Sequence, residues 1–155
     1  MAKTANAKGR RIQGSYVQIP HRVLDSENFI ALSYKSKSLL LDLLSQYKGR
    51  NNGDLCAAMS IMKVRGWKSN ETLATALEEL QHFRLIVKTR QGGRHKASLY
   101  AITWMPIDDC RGKLDVQATL VAPGGWDDPR PAFCRKDRKR DCCTEQRFNV
   151  HRLPV

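Results

Sequence analysis

The stretch from Asn51 to Trp104 constrains the fold most, because three kinds of local signal follow one another there without a gap. It reads NNGDLCAAMSIMKVRGW, then KSNETLATALEELQHFRLIVKTRQGG, then RHKASLYAITW. Ser60 is placed to cap a helix of about two turns, with Ile61, Met62 and Val64 inward. Gly66 allows a tight reversal, and Trp67 is large enough to anchor it in a core. Ser69 or Asn70 then caps the strongest helix of the chain. Leu73, Ala76, Leu77, Leu80 and Phe83 fall on one face of it; Thr72 and Thr75, then Glu78, Glu79 and Gln81, fall on the other. Leu85-Ile86-Val87 reads as a strand, Arg90-Gln91-Gly92-Gly93 as a turn, and Ser98 to Trp104 as a returning strand of period two.

Upstream, a first helical pattern begins near Leu24 or Asp25 and includes Phe29, Ile30 and Leu32, with Asp25 or Ser26 as cap. A stronger helix runs from about Ser36 to Tyr47. Its stripe is Leu39, Leu40, Leu43 and Leu44, widened by Leu41. Asn51-Asn52-Gly53 stops it. Asp54 to Ala58 reads either as irregular chain or as a short strand. The expected fold is therefore α+β: a winged helix-turn-helix with a three-helix core and a β-hairpin wing, a flexible basic N-terminal arm and an irregular C-terminal extension. The expected boundaries are 1–20 for the arm, 21–106 for the domain and 107–155 for the charged extension. Within the extension only Leu114 to Val121 suggests a short strand.

The formal net charge is +12. Residues 1–24 carry five basic groups and no acidic one, and residues 25–105 carry 12 against 7, so the positive field belongs to the arm and the domain. Such a field draws in polyanions. The five cysteines (56, 110, 134, 142 and 143) have no CxxC spacing, and a metal site from Cys134, His151 and one of the adjacent pair Cys142-Cys143 is not expected. There is no apolar run of about 18 residues and no basic-then-apolar leader, so a cytoplasmic protein without membrane attachment is expected.

In a helix-turn-helix the second helix presents its early residues to the major groove. Here these are Lys68, Ser69, Asn70, Thr72 and Thr75. Lys68 and the unpaired amides of the helix start suit phosphate, and Asn70 or Thr72 suits a base edge. Glu71 and Glu79 are unfavourable beside phosphates. The wing offers Lys88, Arg90, Arg94, His95 and Lys96 around Gly92-Gly93, with Arg90 and Arg94 foremost. Lys63 and Arg65 would hold phosphates near the turn, and Arg10 and Arg11 resemble arms that enter a minor groove. Each group also has a plain alternative, as a solvated surface or a helix cap.

Catalysis is not expected, and neither is a cofactor. The four histidines (His21, His82, His95, His151) form no pair within helical reach, and no HExxH, GxxxxGK or nucleophile elbow occurs. Asp108-Asp109 and Asp127-Asp128 are neighbours whose side chains point apart. Tyr100 reads as a buried strand aromatic.

The segment RGWKSNETLATALEELQHFRLIVKTRQGGRHKASLYAITW resembles the winged-helix domains of phage and plasmid replication-type proteins and of bacterial mobile-element proteins. The shared features are Arg65-Gly66-Trp67, Ser69 to Leu73, Glu79 to Ile86, Thr89 to Gly93 and Leu99 to Trp104, within residues 34–108. The resemblance implies a double-stranded DNA-binding domain serving replication, partition or transcription control. In one departure, Arg84 stands where many winged helices have Gly, and a left-handed turn there costs about 1–2 kcal/mol. Winged helices often work as dimers, and the Tyr34 to Tyr47 helix or the carboxyl tail could supply the interface. The alternatives are a protein-interaction module that engages a host or replication complex, and a single-strand or RNA binder, which would favour exposed aromatics.

Overall fold

The computed structural model describes residues 15–135. The described chain is mixed α+β. In order, it contains α1 (His21–Leu24), α2 (Glu27–Ile30), α3 (Tyr34–Leu44), β1 (Leu55–Cys56), α4 (Met59–Met62), a 3-10 turn (Lys63–Arg65), α5 (Asn70–His82), β2 (Ile86–Arg90), β3 (Leu99–Ile102) and a second 3-10 turn (Cys110–Gly112). Only α3 and α5 exceed a single turn, so the expected three-helix core is two long helices with one-turn segments around them. Among the described residues no helix is long and apolar enough to cross a membrane.

The first helical pattern divides into α1 and α2. Ser26 caps α2 by accepting from the Phe29 amide, and Ser33 caps α3 by accepting from the Ser36 amide. Leu39, Leu40, Leu43 and Leu44 are buried as their spacing requires, whereas Leu41 lies on the exposed side instead of widening the core face. α3 ends at Leu44, short of Tyr47. The Gln46 side chain is drawn to β1, where it donates to the Cys56 carbonyl at 2.8 Å and accepts from the Cys56 amide at 2.9 Å.

The Asn51-Asn52-Gly53 break is a packed junction. Asn52 is fully buried. Its Nδ2 donates to the carbonyls of Ile102, Met105 and Pro106, and its Oδ1 accepts from the Ile102 amide at 2.7 Å. One amide side chain therefore supplies the partners that the end of β3 would otherwise lack in the interior. Gly53 holds φ at 127°, and an added Cβ would come within 2.8 Å of Leu114 Cδ1.

The strands form one antiparallel sheet in the order β1-β3-β2, with Leu55 opposite Tyr100 and Ile86 opposite Ile102. A register irregularity lies between Lys88 and Arg90. α3 and α5 pack together over this sheet, and Trp67, Leu73, Leu80, Phe83 and Leu85 complete the core. α5 ends in a Schellman turn: the Leu85 amide donates to the Leu80 carbonyl, and the Arg84 amide to that of Gln81. Arg84 takes the left-handed position there, with φ of 54°.

The described part of the extension, residues 107–135, is wrapped on the domain. No strand forms over Leu114–Val121; Leu120 and Val121 are exposed, so the segment lacks the alternating buried face a strand needs. It is instead tied at isolated points, with the Asp115 amide donating to Thr89 and the Thr119 amide to Ile107. Further along, the buried Asn28 donates to the carbonyls of Trp126 and Asp128 and accepts from the Arg130 amide. Trp126 and Phe133 pack against the core and are not free aromatics. At the other end, Ile19 packs inward while Tyr16 and Val17 stay exposed. Arg10 and Arg11 lie outside the described residues.

Candidate nucleic-acid interface

α4 begins at Met59 behind Ala58, which makes no side-chain cap. Ser60 is therefore inside the helix and does not cap it. Only Met62 of the three apolar residues is buried; Ile61 and Val64 are exposed, because the tightening to a 3-10 turn after Met62 rotates Val64 outward. Gly66 reverses the chain with φ of 91°. Open space surrounds the position of its missing Cβ, so backbone conformation alone calls for glycine. Trp67 locks the corner: its ring is buried and its Nε1 donates to Asp42 on α3 at 2.8 Å.

The corner delivers α5 with its start in solvent. Ser69 caps the helix by accepting from the Thr72 amide. Lys68, Ser69 and Asn70 are exposed, and Thr72 and Thr75 are half-buried. The Thr75 hydroxyl donates to its own helix at Glu71, leaving its oxygen as an acceptor. Beside this start lies an open groove of about 360 Å³, lined by Lys35, Ser38, Arg65, Lys68, Ser69 and Thr72. Three cations and the first-turn amides that the Ser69 cap does not take thus converge on one concavity, which favours an anion. Lys35 carries no motif in the sequence; only the packing of α3 on α5 brings it here. Arg65 is partly committed inward, with Nη2 donating to Ser45 at 2.7 Å and Nη1 lying 4.0 Å from Asp42. Lys63 is exposed and makes no side-chain hydrogen bond or ion pair among the described residues.

Glu79 does not join Glu78 and Gln81 on an outer face. It is buried against the start of α3, where it accepts from the Ser33 amide and from the hydroxyls of Ser33 and Ser36. Three donors compensate the burial of the carboxylate, which still borders the shallow cleft that holds Thr72 and Thr75. Glu71 and Glu78 remain exposed. Arg135, at the end of the described extension, reaches both, with Nη1 3.0 Å from Glu71 and Nε 3.8 Å from Glu78.

The hairpin also differs from the sequence expectation. β2 runs to Arg90, and the reversal comes later, where Gly93 and Lys96 exchange backbone hydrogen bonds around Arg94-His95. Gly92 is not at the tip. It sits under Ser98, where an added Cβ would lie 2.6 Å from the Ser98 amide nitrogen. Arg94, His95 and Lys96 are exposed at the turn, without side-chain hydrogen bonds or ion pairs among the described residues. Arg90 is different. Its Nη2 donates to the Ala97 carbonyl at 2.9 Å and its Nη1 approaches that of Lys113, so it braces the hairpin against the extension. Lys88 donates to Gln91. The Gln91 amide in turn donates to Asp115, a second tie between the hairpin base and the extension.

Among the described residues no three His, Cys, Asp or Glu side chains gather closely enough to hold a metal ion. Burial pushes the Cys110 thiol above its ordinary value, helped by the carboxylates of Asp54 and Asp108, so it is a poor thiolate nucleophile. Comparison with protein-family models, with curated proteins and with solved structures returns no match to this chain.

Proposed function

We propose that the chain is a winged helix-turn-helix protein that binds double-stranded DNA, with α5 as the recognition helix and the β2–β3 hairpin as the wing. A role in the replication, partition or transcription of a mobile element follows from the motif resemblance alone. The observation that carries the proposal is the division of labour among the cations. Lys63, Lys68, Arg94 and Lys96 stand exposed and uncommitted, while Arg65 and Arg90 hold the two elements in shape. Lys35 and Lys68 would take a backbone phosphate in the groove at the helix start, and Asn70 and Thr72 would face base edges. Arg94 and Lys96 would hold a second stretch of backbone.

The test is binding to a random-sequence duplex as salt is raised. Arg94→Ala with Lys96→Ala is expected to lower affinity at least about tenfold at low salt and to flatten the salt dependence by about two phosphate contacts. Unchanged affinity in that double variant would remove the hairpin from the mechanism. A second reading, a protein-interaction module, draws on the exposed apolar side chains of Ile30, Tyr34, Leu41 and Val64, with Tyr34 90% and Val64 88% exposed. It takes over if the parent binds no duplex at low salt.

A further inference from the structure

We propose that Arg135 is a shielding residue of the duplex-binding face: it neutralises Glu71 and Glu78 so that the flank of α5 can lie beside a phosphate backbone. The inference rests on the duplex-binding reading and adds to it the C-terminal segment, which the motif resemblance does not cover.

Glu71 and Glu78 are seven residues apart, two turns along one side of α5. They are exposed, and Glu71 stands in the first turn, next to the side chains best placed to meet DNA. Left alone, two carboxylates there would repel the polyanion from well within a Debye length of about 10 Å at 0.1 M salt. One guanidinium spans both, at 3.0 and 3.8 Å. Arg135 also borders the shallow cleft lined by Ser33, Lys35, Glu71, Thr72, Thr75 and Glu79, so its charge falls beside two carboxylates on the α5 surface that carries a candidate base-reading group.

The position of Arg135 is set by anchors that precede it. Asn28 uses both amide protons and its oxygen to hold the backbone at Trp126, Asp128 and Arg130. His82, in the last turn of α5, lies 2.9 Å from the Pro131 carbonyl oxygen and 5.5 Å from the Phe133 ring centroid. The segment therefore starts at the α1–α2 side, crosses the C-terminal end of α5 at His82, and arrives at Glu78 and then Glu71. Exposed ion pairs of this kind contribute little to stability. What the pair does change is the field along α5, by replacing two uncompensated negative charges with one net negative charge spread over three groups.

A double-mutant cycle on the full chain tests this, with a random-sequence duplex at low salt and thermal midpoints to verify that each variant is folded. Arg135→Ala is expected to weaken binding about fivefold. Glu71→Gln with Glu78→Gln is expected to improve binding by less than about twofold in the parent, where the carboxylates are shielded, and by at least about fivefold in the Arg135→Ala background. Equal gains in the two backgrounds would mean that Arg135 contacts phosphate directly or acts only through net charge, and would overturn the shielding role while leaving duplex binding intact. Parent-like binding by Arg135→Ala would overturn it as well. A parent without duplex affinity removes the underlying reading and this inference with it.

Discussion

Arg84 occupies a left-handed position that glycine fills without strain, and the departure noted in the sequence is realised in the structure at φ of 54°. The side chain gains little in return. Its stem lies against Gly125, where an added Cβ would approach Arg84 Cδ to 2.9 Å, and its guanidinium is 4.0 Å from an exposed Asp128. Arg84→Gly is therefore expected to raise stability by about 1 kcal/mol in urea unfolding, since the strain relieved exceeds a surface pair of that kind. Arg84→Ala keeps the strained φ and should show no gain. A loss of stability in the glycine variant would mean that the contact with Gly125 matters more than the backbone. The same contrast between local and distant causes applies to Glu79. Its place in the α5 pattern suggests a solvated face, yet the serines that hold it lie 43 and 46 residues away.

Among the elements, the C-terminal segment depends most on a single side chain. Asn28 on α2 supplies three hydrogen bonds to chain about one hundred residues later. Asn28→Ala leaves those backbone groups without their partner and is expected to loosen the segment while α3, α5 and the sheet persist. Hydrogen exchange reads this directly: the Arg130 amide should exchange at least about tenfold faster, whereas the Gly124 amide, which donates to Thr103, should keep its protection. Equal acceleration at both amides would show that Asn28 supports the whole domain. The hairpin has a comparable dependence. Its base is held by Arg90 on Ala97 and by Asp115 on the Gln91 amide, leaving the Arg94-His95 tip as the part with its side chains free.

For the whole molecule, part of the alkaline limb of stability follows from acids that folding removes from water, the buried Tyr100 and the partly buried Cys110. Burial raises the Tyr100 phenol above its ordinary value of 10.0, with a smaller contribution from Cys56, against a lowering by Ser98. Burial likewise raises the Cys110 thiol above 9.0. A raised folded value means that the unfolded chain releases these protons first. The stability they confer is complete below pH 9.0 and is lost as pH climbs through the range above 9.0 and 10.0. Urea midpoints should therefore fall between about pH 8 and about pH 11, roughly one unit outside the two ordinary values. A midpoint that stays level or rises over that interval would contradict the burial assigned to both groups.

Local chemistry decided a good deal by itself. The Ser69 cap, the α5 stripe and the glycine reversal before Trp67 each depend on residues within a few positions of one another, and each is found where the sequence put it, within a residue or two. The hairpin forms as well, but its reversal falls at Arg94-His95, beyond the expected turn at Arg90 to Gly93. The two-residue β1 was legible only as an ambiguity, because so short a strand has no period. Long-range pairing of polar groups decided the rest. Nothing near Asn28, Asn52 or Glu79 announces that they are buried, since their partners arrive from other elements and only the closed core makes water unavailable to them. The same holds for which cations are free. Arg65 and Arg90 look like Lys68 and Arg94 in sequence, and the fold alone turns the first pair onto hydroxyl and carbonyl oxygens and leaves the second pair in solvent.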